Sequence, residues 1–160
     1  MKNGRIKSTV KPFDKTMKKK NKPAALTYQT KTKVRFSEVD AMNIVWHGNY
    51  VKYLEDGRED FGNRFGISYM DIYRAGYKAP IVDMRIEYKY PATIGQTIIV
   101  ETSYIDSDAA KIHFDYTISD EDGKIIVTAY TVQVFLDEND ALVLNNPEFY
   151  LQWKKKWNIG

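Results

Sequence analysis

The chain contains no cysteine and only two histidines, His47 and His113. The first absence excludes disulfides, a thiolate nucleophile and any cysteine-based metal site, and it suits a reducing compartment. Two histidines far apart and no thiolate leave little from which to build a transition-metal centre. No apolar run approaches the roughly 20 residues that span a bilayer. The basic N-terminus is not followed by the hydrophobic region of a signal peptide, so a cytoplasmic protein is expected. Phosphate-binding loops are missing too. Gly62-Asn63-Arg64-Phe65-Gly66 lacks the strand-then-helix setting and the lysine of a nucleotide fold. There is no G-x-S-x-G elbow, no serine in a recognisable nucleophile context, and no internal repeat.

What is present suits one well-filled domain. The 160 residues include 12 Tyr, 7 Phe and 3 Trp, ample surface for a core that needs no staples. The net charge of +3 is unevenly spread: residues 1–26 carry nine Lys or Arg against Asp14 alone, a net of +8, which leaves −5 for the remainder. Residues 1–26 therefore read as a basic, solvated, disordered extension with too few apolar side chains to fold. Residues 27–160 read as a single acidic domain, which does not suit nucleic acid as a partner.

Along that domain the hydrophobic period changes twice, to helical after Gly48 and back to alternating after Gly76. Val34 and Phe36 alternate with Lys33 and Arg35, which predicts a short first strand over residues 32–36. After Gly48 the apolar residues Tyr50, Leu54, Phe61 and Phe65 recur at helical spacing, with Gly57 on the same stripe. A glycine there costs helix propensity, which suggests close approach to whatever the helix packs on. The helix is expected to stop between Gly62 and Gly66, with a short second piece over residues 69–75. Four strands are expected next: 82–90, 97–105, 112–118 and 124–136. Asp120-Glu121-Asp122-Gly123 is a strong hairpin turn, and residues 147–157 suit a closing helix. Tyr88, Tyr90 and Tyr116, at period-2 positions, are assigned to the core face of their strands rather than to a base-stacking surface. Each strand has one apolar face, and only the long helix is large enough to cover them. The predicted fold is α+β: a curved antiparallel five-stranded sheet wrapped around a long central helix, the hotdog architecture.

One stretch concentrates the chemistry: EVDAMNIVWHGNYVKYLEDGRE, residues 38–59. Asp40 lies in the strand-to-helix connection, followed by Ile44, Val45 and Trp46. Loss of water beside such side chains makes a carboxylate more basic, whereas a helix N-terminus favours the anion. The same helix start offers backbone N–H groups without intrahelical partners, which suit a developing oxyanion. Two readings stand on pattern alone. Asp40 is a capping or turn residue, the plainer reading, or it is the carboxylate of an acyl-transfer site. His47 divides similarly between a surface residue at a helix start and a titrating side chain. His113, on the polar face of its strand, reads as structural.

Residues 33–58, KVRFSEVDAMNIVWHGNYVKYLEDGR, closely resemble the signature of the 4-hydroxybenzoyl-CoA thioesterase family of hotdog proteins. That signature is an Asp, two spacers, a small residue, Ile-Val, an aromatic, a short link and a tyrosine opening the central helix. The resemblance extends over roughly residues 30–137, through Pro80-Ile81-Val82 and Tyr90-Pro91-Ala92, and leaves both tails aside. It implies that Asp40 is the catalytic carboxylate, as nucleophile or general base. It implies that His47 stands where a backbone N–H polarises the thioester carbonyl, and that Tyr50 is the tyrosine at the helix start. Glu55 and Arg58 match polar helix positions. There are departures: Val39 stands where a small polar residue is common, Asn43 replaces the usual Gly, and Gly95-Gln96 replaces paired acids. Asn tolerates positive φ better than most residues, so the turn at Asn43 is expected to survive.

The function the resemblance implies is hydrolysis of an acyl-CoA thioester, without metal or cofactor, by a homodimer or homotetramer whose sites lie between subunits. Candidate substrate-binding residues are Ile44, Trp46, Tyr50, Tyr53 and Arg58, with Lys89 (and, more weakly, Arg85 and Lys111) for the phosphates of coenzyme A. An acyl-carrier-protein thioesterase and a non-catalytic hotdog acyl-binding module are the alternatives. A hotdog dehydratase fits less well, because its His and Asp pairing on the helix is not visible.

Overall fold

The computed structural model describes residues 24–160. The extension expected over residues 1–26 thus falls almost wholly outside the described residues. The first strand, β1, is Leu26–Lys33 rather than 32–36. Its Tyr28, Thr30 and Thr32 alternate inward while Gln29, Lys31 and Lys33 face out. Six of its eight residues are Thr, Gln or Lys, which gives little apolar contrast and leaves its start unmarked in the sequence. After Lys33 the chain turns: Val34 is buried but Phe36 enters a 3-10 turn, Phe36–Glu38, and is 81% exposed.

A second 3-10 turn, His47–Asn49, leads straight into the long helix α1, Tyr50–Phe65. Gly66 ends it in the left-handed conformation, φ 79°, with its N–H on the Gly62 carbonyl at 2.8 Å. The short helix α2, Tyr69–Arg74, starts from a capping box in which Ser68 and Asp71 exchange hydrogen bonds. The remaining strands are β2, Ile81–Tyr88; β3, Thr97–Ile105; β4, Lys111–Asp120; and β5, Ile125–Val134. A last helix, α3, spans Glu148–Lys156.

The five strands form one antiparallel sheet in the order β1-β3-β4-β5-β2. β3, β4 and β5 follow each other as hairpins, but residues 91–95 do not close a hairpin: they carry the chain from one edge strand, β2, to β3 beside the other edge. α1 lies over β1 and β3. Gly57 explains how closely it does so, because a Cβ there would stand 2.7 Å from both Val100 Cγ1 and Thr102 Oγ1. The expected close approach is real.

Because α1 covers the β1–β3 side, the β2 edge is left largely open. Val82, Tyr88 and Tyr90 are 58%, 51% and 52% exposed, so of the three tyrosines assigned to the core only Tyr116, 3% exposed, is there. Periodicity told the apolar face of β2 correctly but not what covers it. α3 closes the opposite end. The indole N–H groups of Trp153 and Trp157 both donate to the Phe65 carbonyl, at 2.9 Å each, and Lys154 reaches inward to pair with Asp106 at 2.6 Å. Among the described residues no helix is long and apolar enough to cross a membrane.

Candidate active site

The Asp40 segment is a tight reversal held at both ends. Val39 and Val45 pair across it, the Asp40 N–H donates to the Ile44 carbonyl (2.9 Å), and the Asn43 N–H returns to the Asp40 carbonyl (2.9 Å). Asn43 takes φ 60°, a left-handed conformation that Asn accepts without glycine. The Asp40 side chain takes part in its own turn, with Oδ1 accepting the Met42 N–H at 2.8 Å. Its other oxygen, Oδ2, has no hydrogen-bond partner among the described residues. The turn role and an available carboxylate oxygen are therefore compatible, and Asp40 does not cap α1.

The reversal is strapped to the segment after β2. Ile44 pairs with Thr93, the Val45 N–H donates to the Ala92 carbonyl (2.9 Å), and the Ala92 N–H donates to the Tyr50 hydroxyl (3.1 Å). Tyr50 is 2% exposed, and burial raises its pKa above the ordinary tyrosine value. From the sheet edge, the Tyr88 hydroxyl donates to the His47 carbonyl at 3.0 Å while its ring meets Tyr50 edge-on at 5.5 Å. That contact fixes the His47 peptide from one side. The N–H groups of His47 and Gly48, at the start of the second 3-10 turn, have no acceptor among the described residues.

A cavity of about 340 Å³ collects these groups. Asp40, Ile44, His47, Tyr50 and Lys89 line it, joined by Met42, Val45, Tyr88, Tyr90 and Pro91. Three expected substrate contacts are not brought there. Trp46 turns back across Gly48, where even a Cβ would overlap its ring at 2.1 Å, and is 49% exposed. Tyr53 is 2% exposed inside the core, its hydroxyl donating to Glu38 Oε2 at 2.7 Å; burial and that carboxylate hold its pKa well above the ordinary tyrosine range. Arg58 pairs with Glu55 beside a separate small cleft lined by Val51, Met84 and Tyr116.

Lys89 reaches the cavity but also pairs with Glu87 at 2.7 Å. Arg85 and Lys111 line a larger cavity, about 570 Å³, among the outward side chains of β2, β4 and β5. Charged side chains such as Asp83, Arg85, Glu87, Lys111 and Asp115 line that cavity, which contains neither Asp40 nor the helix start. His113 lies in it, with Nε2 and Asp115 Oδ1 2.8 Å apart. Among the described residues there is no cluster of three or more His, Asp or Glu placed to hold a metal.

Asn49 and Tyr88 are not among the site residues expected from sequence. Asn49 did carry a signal: it stands where a helix N-cap belongs, and a cap is what its type suggests. Its amide instead donates to the Glu38 carbonyl at 2.8 Å.

An antiparallel five-stranded sheet with one long helix packed against it is the hotdog arrangement. Residues 34–153 match the family model described as the thioesterase-like superfamily. The chain belongs to that superfamily. Over 120 residues it is 30% identical to a Bacillus subtilis protein named "Putative acyl-CoA thioesterase YneP", a match covering 75% of this chain and 87% of that one. The crystal structure of the hypothetical protein TT1821 from Thermus thermophilus is similar with a TM-score of 0.74 and 27% identity, covering 84% of this chain and all of that one. A DHNA-CoA thioesterase from Staphylococcus aureus superposes with the same TM-score at 23% identity, over 82% and 89% of the two chains, and shares the fold.

Proposed function

We propose that this chain hydrolyses acyl-CoA thioesters, with Asp40 as the reacting carboxylate and the N–H groups of His47 and Gly48 as the oxyanion hole. The observation that carries the reading is a juxtaposition. Asp40, one of whose carboxylate oxygens has no partner among the described residues, and His47, the first residue of the turn leading into α1, line one cavity, and Gly48 follows His47 directly. A thioester carbonyl placed between them has its oxygen on the N–H groups, which need no reorganisation as negative charge develops. Asp40 then attacks the carbonyl carbon, releasing coenzyme A and leaving a mixed anhydride that water cleaves, or it takes the proton of a water that attacks instead. His47 contributes through its backbone, so its imidazole is not required. Apolar Ile44, Val45, Tyr50 and Pro91 provide the wall for an acyl group, and Lys89 is the one candidate phosphate contact at the rim.

The cavity is too shallow to enclose an acyl-CoA. It opens toward β2, whose second edge is unpaired and whose Val82, Tyr88 and Tyr90 are exposed. A second copy across that edge completes the pocket, which supports a homodimer as the working unit. The test is thiol release from short, long, branched and aryl acyl-CoAs and from an acyl-carrier protein, comparing wild type with Asp40→Asn. A fall in kcat of about 10²-fold or more is expected for Asp40→Asn. Undiminished hydrolysis by a folded Asp40→Asn protein refutes the assignment, and turnover confined to the carrier protein moves the substrate to that class.

A further inference from the structure

The two halves of the proposed site meet at one residue that touches neither end of the reaction. Glu38 lies two positions before Asp40, and four hydrogen bonds converge on it. Its carboxylate Oε2 accepts the Arg35 N–H (2.8 Å) and the Tyr53 hydroxyl (2.7 Å). Its carbonyl accepts the Trp46 N–H (2.9 Å) and the Asn49 side-chain amide (2.8 Å). The first pair anchors the 3-10 turn that delivers Asp40 to the first turn of α1. The second pair anchors Trp46 and Asn49, the residues that flank His47-Gly48, to that same turn. Asp40 and the His47 N–H are thereby fixed to one another through Glu38, not only through the loop between them.

Two features say that this is more than incidental packing. Asn49 is the N-cap of α1 and is 6% exposed, yet its side chain makes no capping bond and donates to Glu38 instead. A residue type suited to closing the helix start is turned away from it, leaving the first N–H groups uncapped by a side chain. Tyr53 is 2% exposed on the buried stripe of α1, where a phenylalanine would fill the same space. Among the described residues its hydroxyl has a single partner, Glu38.

We infer that Glu38, with Tyr53 and Asn49, forms a positioning clamp that sets the distance between the Asp40 carboxylate and the oxyanion-binding N–H groups. This inference rests on the catalytic reading of Asp40. Tyr53, expected from sequence to line the acyl channel, acts here from behind the site.

Steady-state kinetics on the best acyl-CoA, with thermal melting of each protein, test it. Misplacing reacting groups by about 1 Å can cost about 10²-fold in rate. Glu38→Ala should lower kcat about 10- to 100-fold with KM within about threefold, since the cavity wall is untouched. Glu38→Gln keeps an acceptor oxygen for Tyr53 and should restore most of the loss. Tyr53→Phe, which keeps the core filled, should lower kcat several-fold with KM unchanged, and it serves if Glu38→Ala does not fold. A merely structural role would lower the melting point and leave the kcat of the folded fraction intact. That result, or equal losses in Glu38→Ala and Glu38→Gln, overturns the clamp. Asp40→Asn measured alongside separates the failures. If it abolishes turnover while the Glu38 and Tyr53 variants keep full kcat, only the clamp falls; if it retains turnover, the catalytic reading falls.

Discussion

Lys154 is the most consequential lysine for stability in the described structure. It lies in α3 with its side chain only 9% exposed, its ammonium 2.6 Å from Asp106 Oδ1 and donating to the Ser107 carbonyl at 2.9 Å. Asp106, 18% exposed, also faces Tyr104, whose hydroxyl lies 2.5 Å from that of Tyr150. Lys154→Met keeps the apolar stem but leaves a half-desolvated carboxylate and a carbonyl without their cation. Breaking one partner of a buried pair costs about 3–5 kcal/mol, and the residual exposure of Asp106 argues for the lower figure, about 3 kcal/mol. In a domain of this size that lowers Tm by roughly 10 °C. Urea titration followed by circular dichroism, with calorimetry, measures both quantities. Lys154→Met combined with Asp106→Asn should recover much of the loss, because no unpaired charge remains. Lys155→Met, one residue on and exposed, should stay within about 0.5 kcal/mol of wild type. Wild-type stability in Lys154→Met, or a double variant no better than the single, refutes the reasoning.

Gly57→Val should destabilise by about 2 kcal/mol or more, because its Cβ meets Val100 and Thr102 at 2.7 Å and overpacking outweighs the gain in helix propensity; an unchanged urea midpoint would contradict this. Alkali should unfold the protein cooperatively. Burial pushes Tyr116 up to about 12 from 10.0, and Tyr53, Tyr104 and Tyr150 are raised in the same direction, also chiefly by burial. Below pH 10 both states hold these protons and stability is complete. Above it the unfolded chain releases them first, so stability falls, by about 3 kcal/mol for Tyr116 alone as pH reaches 12. Tyrosinate absorbance from these four side chains should therefore appear together with unfolding. Their ionisation near pH 10 in a folded protein would count against it.

Much of the fold was legible because its signals are local. The change from helical to alternating period at Gly76, the Asp120–Gly123 turn and the Gly57 on the apolar stripe of α1 each state a constraint within a few residues. What escaped depends on distant partners. β1 is recognisable only through its pairing with β3, some 70 residues on, since its own residues are mostly polar. The exposure of Tyr88 and Tyr90 follows from where α1 lies, which no property of β2 records. At the site, the Asp40 reversal and the helix start carried their own marks. Tyr53 and Trp46 did not: an aromatic side chain in sequence does not announce whether it faces a substrate, a carboxylate behind the site or a neighbouring glycine.

The placement of the three tryptophans gives the molecule a built-in optical readout. Trp153 and Trp157 share the Phe65 carbonyl in the closing helix, whereas Trp46 lies half-exposed over Gly48, next to His47. Emission from the first two reports whether the C-terminal helix is docked. Emission from the third, at longer wavelength in its wetter surroundings, reports on the turn that leads into α1. Comparing the wild type with Trp46→Phe separates the two contributions, so undocking of α3 and changes at the start of α1 can be told apart without an added dye.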